Sequence, residues 1–66
     1  MSAALIANYL SARAARYPRE TPPGVTRLEN GMYVIQIPGR AGRRTLLESE
    51  MIEAVYNYRA LAGSAA

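Results

Sequence analysis

Arg40, Arg43 and Arg44 fall within five residues of one another, just behind an alternating apolar run that carries Arg27 and Gln36. An arginine guanidinium is a planar fork that hydrogen-bonds phosphate oxygens, or the edge of a guanine, two bonds at a time. A glutamine amide can pair an adenine edge in the same way. The chemistry these residue types offer is recognition of a polyanion, with duplex DNA as the expected partner. Arg40, Arg43 and Arg44 are the candidate phosphate clamps, and Arg27 with Gln36 the candidate base contacts.

Catalysis is a poor fit to the same inventory. Histidine, cysteine, lysine and aspartate do not occur, which removes imidazole and thiolate catalysts, disulfides and the usual zinc ligand sets. Three of the five glutamates, Glu48, Glu50 and Glu53, crowd the start of one expected helix, where they complement the helix dipole. The segment "PGRAG" sets glycines near arginine but lacks the strand-to-helix geometry and the lysine of a phosphate loop. The expectation is a non-enzyme without cofactor or metal.

All eight basic residues are arginine and all five acids glutamate, giving a net charge of +3 and a pI near 9.8. That balance favours a polyanionic partner, although a GC-rich genome also enriches alanine and arginine. A chain of 66 residues is expected to be one domain whose small core must be well packed or shared with a partner. No apolar run approaches the ~20 residues of a membrane span, and "MSAALIANYL" has no basic region of a signal peptide. A cytoplasmic protein without membrane contact is the expectation.

Punctuation and periodicity then divide the chain. Leu5, Ile6, Tyr9, Leu10 and Tyr17 recur every three or four residues, so a helix is predicted over 3–17, stopped by Pro18. Arg13 interrupts the apolar stripe. Either its stem lies along the apolar surface with the charge in water, or it forms the edge of a basic groove. Three prolines within residues 18–23, followed by Gly24, make residues 18–24 a stiff connector.

Asn30-Gly31 predicts a hairpin over 25–37 with a two-residue type I′ turn. That turn would set Leu28 opposite Tyr33, Thr26 opposite Ile35, Arg27 opposite Val34 and Val25 opposite Gln36. Thr26, Leu28, Tyr33, Ile35 and Ile37 would then face the core. Val25, Arg27, Glu29, Met32, Val34 and Gln36 would form a mixed contact face. A second helix is predicted over 49–62, with Leu47, Met51, Ala54, Val55, Tyr58, Leu61 and Ala62 on one face, Ser49 as its cap and Tyr56 exposed. "GRRTLLE", residues 42–48, reads two ways. Thr45 and Glu48 could form a capping box that starts the helix early, or residues 43–47 could be a third strand. The fold class is α+β in either case.

The stretch "PPGVTRLENGMY" is similar to the opening of the arm-binding N-terminal domain of lambda-type phage integrases. More widely, residues 22–62 resemble the AP2-type fold in Gly24-Val25, Gly31, Tyr33, Ile37, the Gly42-Arg43 turn and "EAVYNYRALA". The resemblance implies a three-stranded sheet laid into the DNA major groove and backed by one helix. Thr26, Leu28 and Asn30 stand where AP2 domains carry base-contacting arginines and tryptophan, and Gln36 replaces an acid, so the readout does not transfer. The implied function is a small basic DNA-binding accessory or regulatory protein of a phage or mobile element.

A second resemblance is one of architecture. Small head-completion proteins of lambdoid phages look like helix, hairpin, helix, and residues 1–17 fit them better than they fit an integrase arm. An assembly protein of that type, present in the virion, would use Met32, Val34 and Tyr56 to contact phage structural proteins or further copies of itself. A protein-binding inhibitor is a third possibility.

Overall fold

The computed structural model describes residues 2–64, in the order α1 (Ser2–Arg16), β1 (Gly24–Arg27), β2 (Tyr33–Gln36), β3 (Arg43–Leu46) and α2 (Glu48–Ser64). The three strands form an antiparallel meander in the order β1-β2-β3, so the protein is α+β. Residues 43–46 are strand and not the start of a helix. Among the described residues, no helix is long and apolar enough to cross a membrane.

The first turn corrects the expected register. Gly31 has φ +86°, while among the described residues no non-glycine has positive φ, so Asn30 cannot occupy a type I′ position. The Gly31 N–H instead donates to the Leu28 carbonyl at 3.0 Å, and the Leu28 N–H donates to the Met32 carbonyl at 2.7 Å. This is a three-residue loop in which a type I turn is followed by a left-handed glycine bulge. The Asn30 side-chain oxygen secures it by accepting the Met32 N–H at 3.0 Å. One more residue in the loop shifts β1 by one against β2. Val25 therefore lies opposite Ile35, Thr26 opposite Val34 and Arg27 opposite Tyr33. A shift of one turns every β1 side chain to the other face of the sheet.

The second turn is built differently. The Arg40 N–H donates to the Ile37 carbonyl at 3.1 Å, and Gly39 has φ +82°. With Pro38 at the first central position and Gly39 at the second, the pattern is that of a type II turn. It returns the chain so that Ile35 meets Arg44 and Tyr33 meets Leu46.

Both helices pack on one face of the sheet. Tyr9 and Ala12 from α1, Tyr33, Ile35 and Leu46 from the strands, and Met51 and Val55 from α2 are buried together. Leu5, Ile6, Leu10, Val25, Ile37, Ala54 and Tyr58 pack around them. Thr26 and Leu28, expected in the core, are exposed because of the register shift. Leu47 and Leu61, expected on the buried face of α2, are also largely exposed, and so is Tyr56, as expected.

Helix α2 begins at Glu48, one residue before the expected start. Its cap is neither Ser49 nor the Thr45–Glu48 box. Leu47 occupies the cap position, its carbonyl accepting the Met51 N–H at 3.0 Å and its N–H donating to Glu50 Oε1 at 2.8 Å. That is the reaching-back half of a capping box. Thr45 cannot cap because it is held in β3.

Arg13 does not carry its charge into open water; it lines a cleft together with Arg40, Arg43 and Arg44. It is buried, and Nη2 donates to Glu20 Oε1 at 3.2 Å across the proline-rich turn. Its guanidinium carbon lies 5.2 Å from the centre of the Tyr17 ring, and that of Arg16 lies 4.8 Å from it. Tyr58 from α2 meets both Tyr9 and Tyr17 edge-on, with ring centres 5.8 and 6.0 Å apart. Such contacts add to area burial by ~0.5–1.5 kcal/mol each.

Two predictions follow from this packing. At Gly31 a new Cβ would find its nearest contact, Arg27 Nη2, 4.0 Å away, so space does not restrict the position and backbone conformation does. Gly31→Val should destabilise the protein by ~1–3 kcal/mol, whereas Gly31→Asn should cost less, because asparagine tolerates left-handed φ. Urea titrations of the two variants measure the difference. At Tyr9, burial, reinforced by the Tyr58 hydroxyl, pushes the phenol from 10.0 up to about 12. The folded state thus keeps a proton that the unfolded chain releases. The associated stability is intact below pH ~10 and is lost as pH rises towards 12, by up to roughly 2 kcal/mol. Tyr9→Phe should flatten that part of an alkaline unfolding curve.

Candidate nucleic-acid interface

Strand pairing divides the sheet into a covered and an open face. Opposed residues share a side, so Val25, Ile35 and Arg44 form one row on the helix-covered face, and Arg27, Tyr33 and Leu46 the next. The open face carries the alternate rows, Gly24–Gln36–Arg43 and Thr26–Val34–Thr45. Thr26, Gln36, Arg43 and Thr45 are exposed, and Val34 in the centre is half-buried. Beyond them Leu28 and Met32 face each other across the turn. Leu47, which follows the buried Leu46, emerges beside them by alternation. The open face is thus polar and basic at one end and apolar at the other.

The five sequence-predicted site residues separate into three positions. Gln36 and Arg43 are direct cross-strand neighbours on the open face. Arg27 belongs to the opposite row from the one expected. It is paired with Tyr33 on the covered side of edge strand β1, at the end of the row, and is exposed. Arg44 is its counterpart on edge strand β3, opposite Ile35 and also exposed. Arg40 lies in the β2–β3 loop, where its carbonyl accepts a hydrogen bond from Gln36 Nε2 at 3.2 Å. That bond ties the loop to the open face and orients the Gln36 amide. Val25, expected on the contact face, packs against the core instead.

Thr26 and Thr45 are the side chains that sequence reasoning missed. A two-residue turn would put Thr26 inside, and a capping box would make Thr45 a helix cap. The signal for Thr26 was present in "LENG": a glutamate and an asparagine before glycine suit a type I turn with a glycine bulge.

A second concave feature lies on the covered side. A cleft of about 440 Å³ opens between β3 and the helices, with Ile35, Leu46 and Tyr58 among its walls and Arg13, Arg40, Arg43, Arg44, Glu50 and Glu53 as its charged groups. Arg43 and Arg44 on edge strand β3 therefore both border this cleft. Its charges are mixed in sign, with the arginines in excess of the glutamates.

Comparison with protein families, characterised proteins and solved structures returns no match to this chain.

The face assignment makes a sharp prediction. Thr26 touches solvent and Val25 the core, so Thr26→Arg should change stability by no more than about 0.5 kcal/mol. Val25→Arg should cost several times as much, because it brings an unpaired charge against buried side chains. Thermal melts of the two variants would show the reverse order if the two-residue turn were correct.

Proposed function

We propose that the protein binds duplex DNA by laying the open face of its sheet into the major groove. The observation that carries this reading is an uncovered three-stranded face bearing Thr26, Gln36, Arg43 and Thr45. Strands spaced ~4.8 Å apart make its backbone roughly 10 Å wide, and the major groove is ~12 Å wide. Arg43 offers a bidentate pair for a guanine edge and Gln36 one for an adenine edge. Thr26 and Thr45 can serve either base, and Val34 suits a thymine methyl group.

The register supports a division of labour different from the sequence expectation. Base contact passes to Arg43 together with Gln36. Arg27 and Arg44, on opposite edge strands, are placed for phosphates, because the DNA backbones rise on either side of anything seated in a groove. Arg40, in the loop tied to Gln36, is a third phosphate ligand. The resemblance to AP2-type and integrase arm-binding domains supports the same docking mode, and a small DNA-binding accessory or regulatory protein of a phage or mobile element is the role proposed.

One observation favours a protein partner instead. Leu28, Met32 and Leu47 make the far end of the open face apolar, as an assembly protein would require. A fluorescence-anisotropy titration against duplex libraries at several salt concentrations separates the two readings. DNA binding should weaken with log salt at a slope near −0.9 per phosphate contact, so replacing Arg27 and Arg44 with alanine should flatten it by up to about two. Arg43→Ala should cost ~1–3 kcal/mol on the preferred sequence and little on others. Absence of binding to any duplex at low salt and micromolar protein would remove the DNA reading and leave the assembly one.

A further inference from the structure

The outer flank of α2 carries a stripe of exposed side chains. Ile52 and Tyr56 are one helical turn apart and remain 55% and 73% exposed. Glu48 lies one turn before them and Arg59 about one turn after, both exposed. At 100° per residue these four side chains fall within ~80° of arc. Glu50, Glu53 and Asn57 lie on the other flank of the helix, towards the cleft. Among the described residues the recorded ion pair is Arg13–Glu20, so Glu48 and Arg59 are available to an outside partner.

The order along the stripe is acid, apolar, apolar, base, and it is complementary to its own reverse. If a second α2 runs antiparallel along it, Ile52 meets Tyr56 of the other copy, and Glu48 meets Arg59, twice over by symmetry. The midpoint of Ile52 and Tyr56 and that of Glu48 and Arg59 differ by half a residue, under ~1 Å of helix rise. One two-fold axis therefore satisfies the apolar and the ionic pairs together, which is the requirement of an isologous interface. We infer that the protein self-associates as a two-fold dimer through an antiparallel α2–α2 contact.

The partner is a second copy because charge and apolar spacing match only on reversal. In a parallel pair the same stripe would bring Glu48 onto Glu48 and Arg59 onto Arg59. An interface centred on two apolar residues per copy belongs with small, transient contacts rather than obligate ones, so the dimer dissociates on dilution. Its ionic pairs set orientation more than affinity. The stripe is on a helix packed against the covered face, which leaves the open sheet face uncovered in both copies. The inference is thus independent of the DNA reading.

Sedimentation velocity of the intact chain, without DNA, from about 1 µM to about 1 mM tests it. Wild type should pass from monomer to dimer across that range. Glu48→Arg and Arg59→Glu should each raise the dissociation constant about tenfold, since each opposes like charges at two symmetric positions. The double variant should return to within about threefold of wild type. Tyr56→Arg, at the most exposed apolar position, should abolish the dimer, with circular dichroism confirming that the fold persists. A monomer throughout the range overturns the inference, as does failure of the double variant to recover. Association that survives Tyr56→Arg but is lost in Leu28→Arg overturns it too, and would assign the contact to the apolar end of the sheet.

Discussion

The three-residue loop from Glu29 to Gly31 governs the side of the sheet on which each β1 residue emerges. With Asn30 outside the positive-φ region and Gly31 at φ +86°, it takes one residue more than a two-residue turn would, and in a structure with a repeat of two, one residue is half a period. Val25 goes inward as a consequence, Thr26 outward, and Arg27 moves to the covered edge. The side on which each β1 residue lies, and with it the open-face chemistry of that strand, descends from that one extra loop residue. Asn30 makes the choice firm, because its side chain accepts the Met32 N–H only while the chain follows this loop.

The helices are held by another kind of contact. Tyr58 touches Tyr9 on one side and Tyr17 on the other, and Tyr17 in turn receives Arg13 and Arg16. The chain has neither cysteine nor tryptophan, and the Tyr58 ring contacts join α1 to α2 alongside the shared apolar core. The Arg13–Glu20 pair pins the start of the proline-rich connector to the helix it leaves. Arg13 is buried and Glu20 about half exposed, so the pair serves mainly to satisfy a charge that the tyrosine packing has drawn inward.

Features marked by glycine, proline or a clear apolar period were legible in the sequence. Pro18 and the Leu5–Tyr9 spacing located α1, and residues 43–47 could be read as a third strand. The register was not legible, because Asn-Gly suits both a two-residue turn and a bulged three-residue loop. The two differ in the backbone at Glu29 and Asn30, while Gly31 takes positive φ in both. Of the candidate site, the Gln36–Arg43 pair needed only β2 and β3, so it was within reach of the sequence. Thr26 and Arg27 depended on the count of loop residues, and both were assigned to the wrong side. The Arg13–Glu20 contact was hidden because it joins residues across a turn, where neither helical nor strand spacing applies.

The pairing of Tyr9 with Tyr58 also constrains the order in which the fold can be completed. The meander needs only neighbouring segments, so its strands can collect as they are made. Helix α1 has 15 residues, close to the length at which an isolated helix is marginal in water, and its principal helical partner is α2. About half of the described chain, residues 17–47, lies between those two elements, and closing so long a loop is the slow kind of contact formation. During synthesis α1 can meet Tyr33, Ile35 and Leu46 of the sheet first, but the Tyr9–Tyr58 contact must wait until α2 has left the ribosome. The nascent chain passes through a stage in which its first helix is its most vulnerable part.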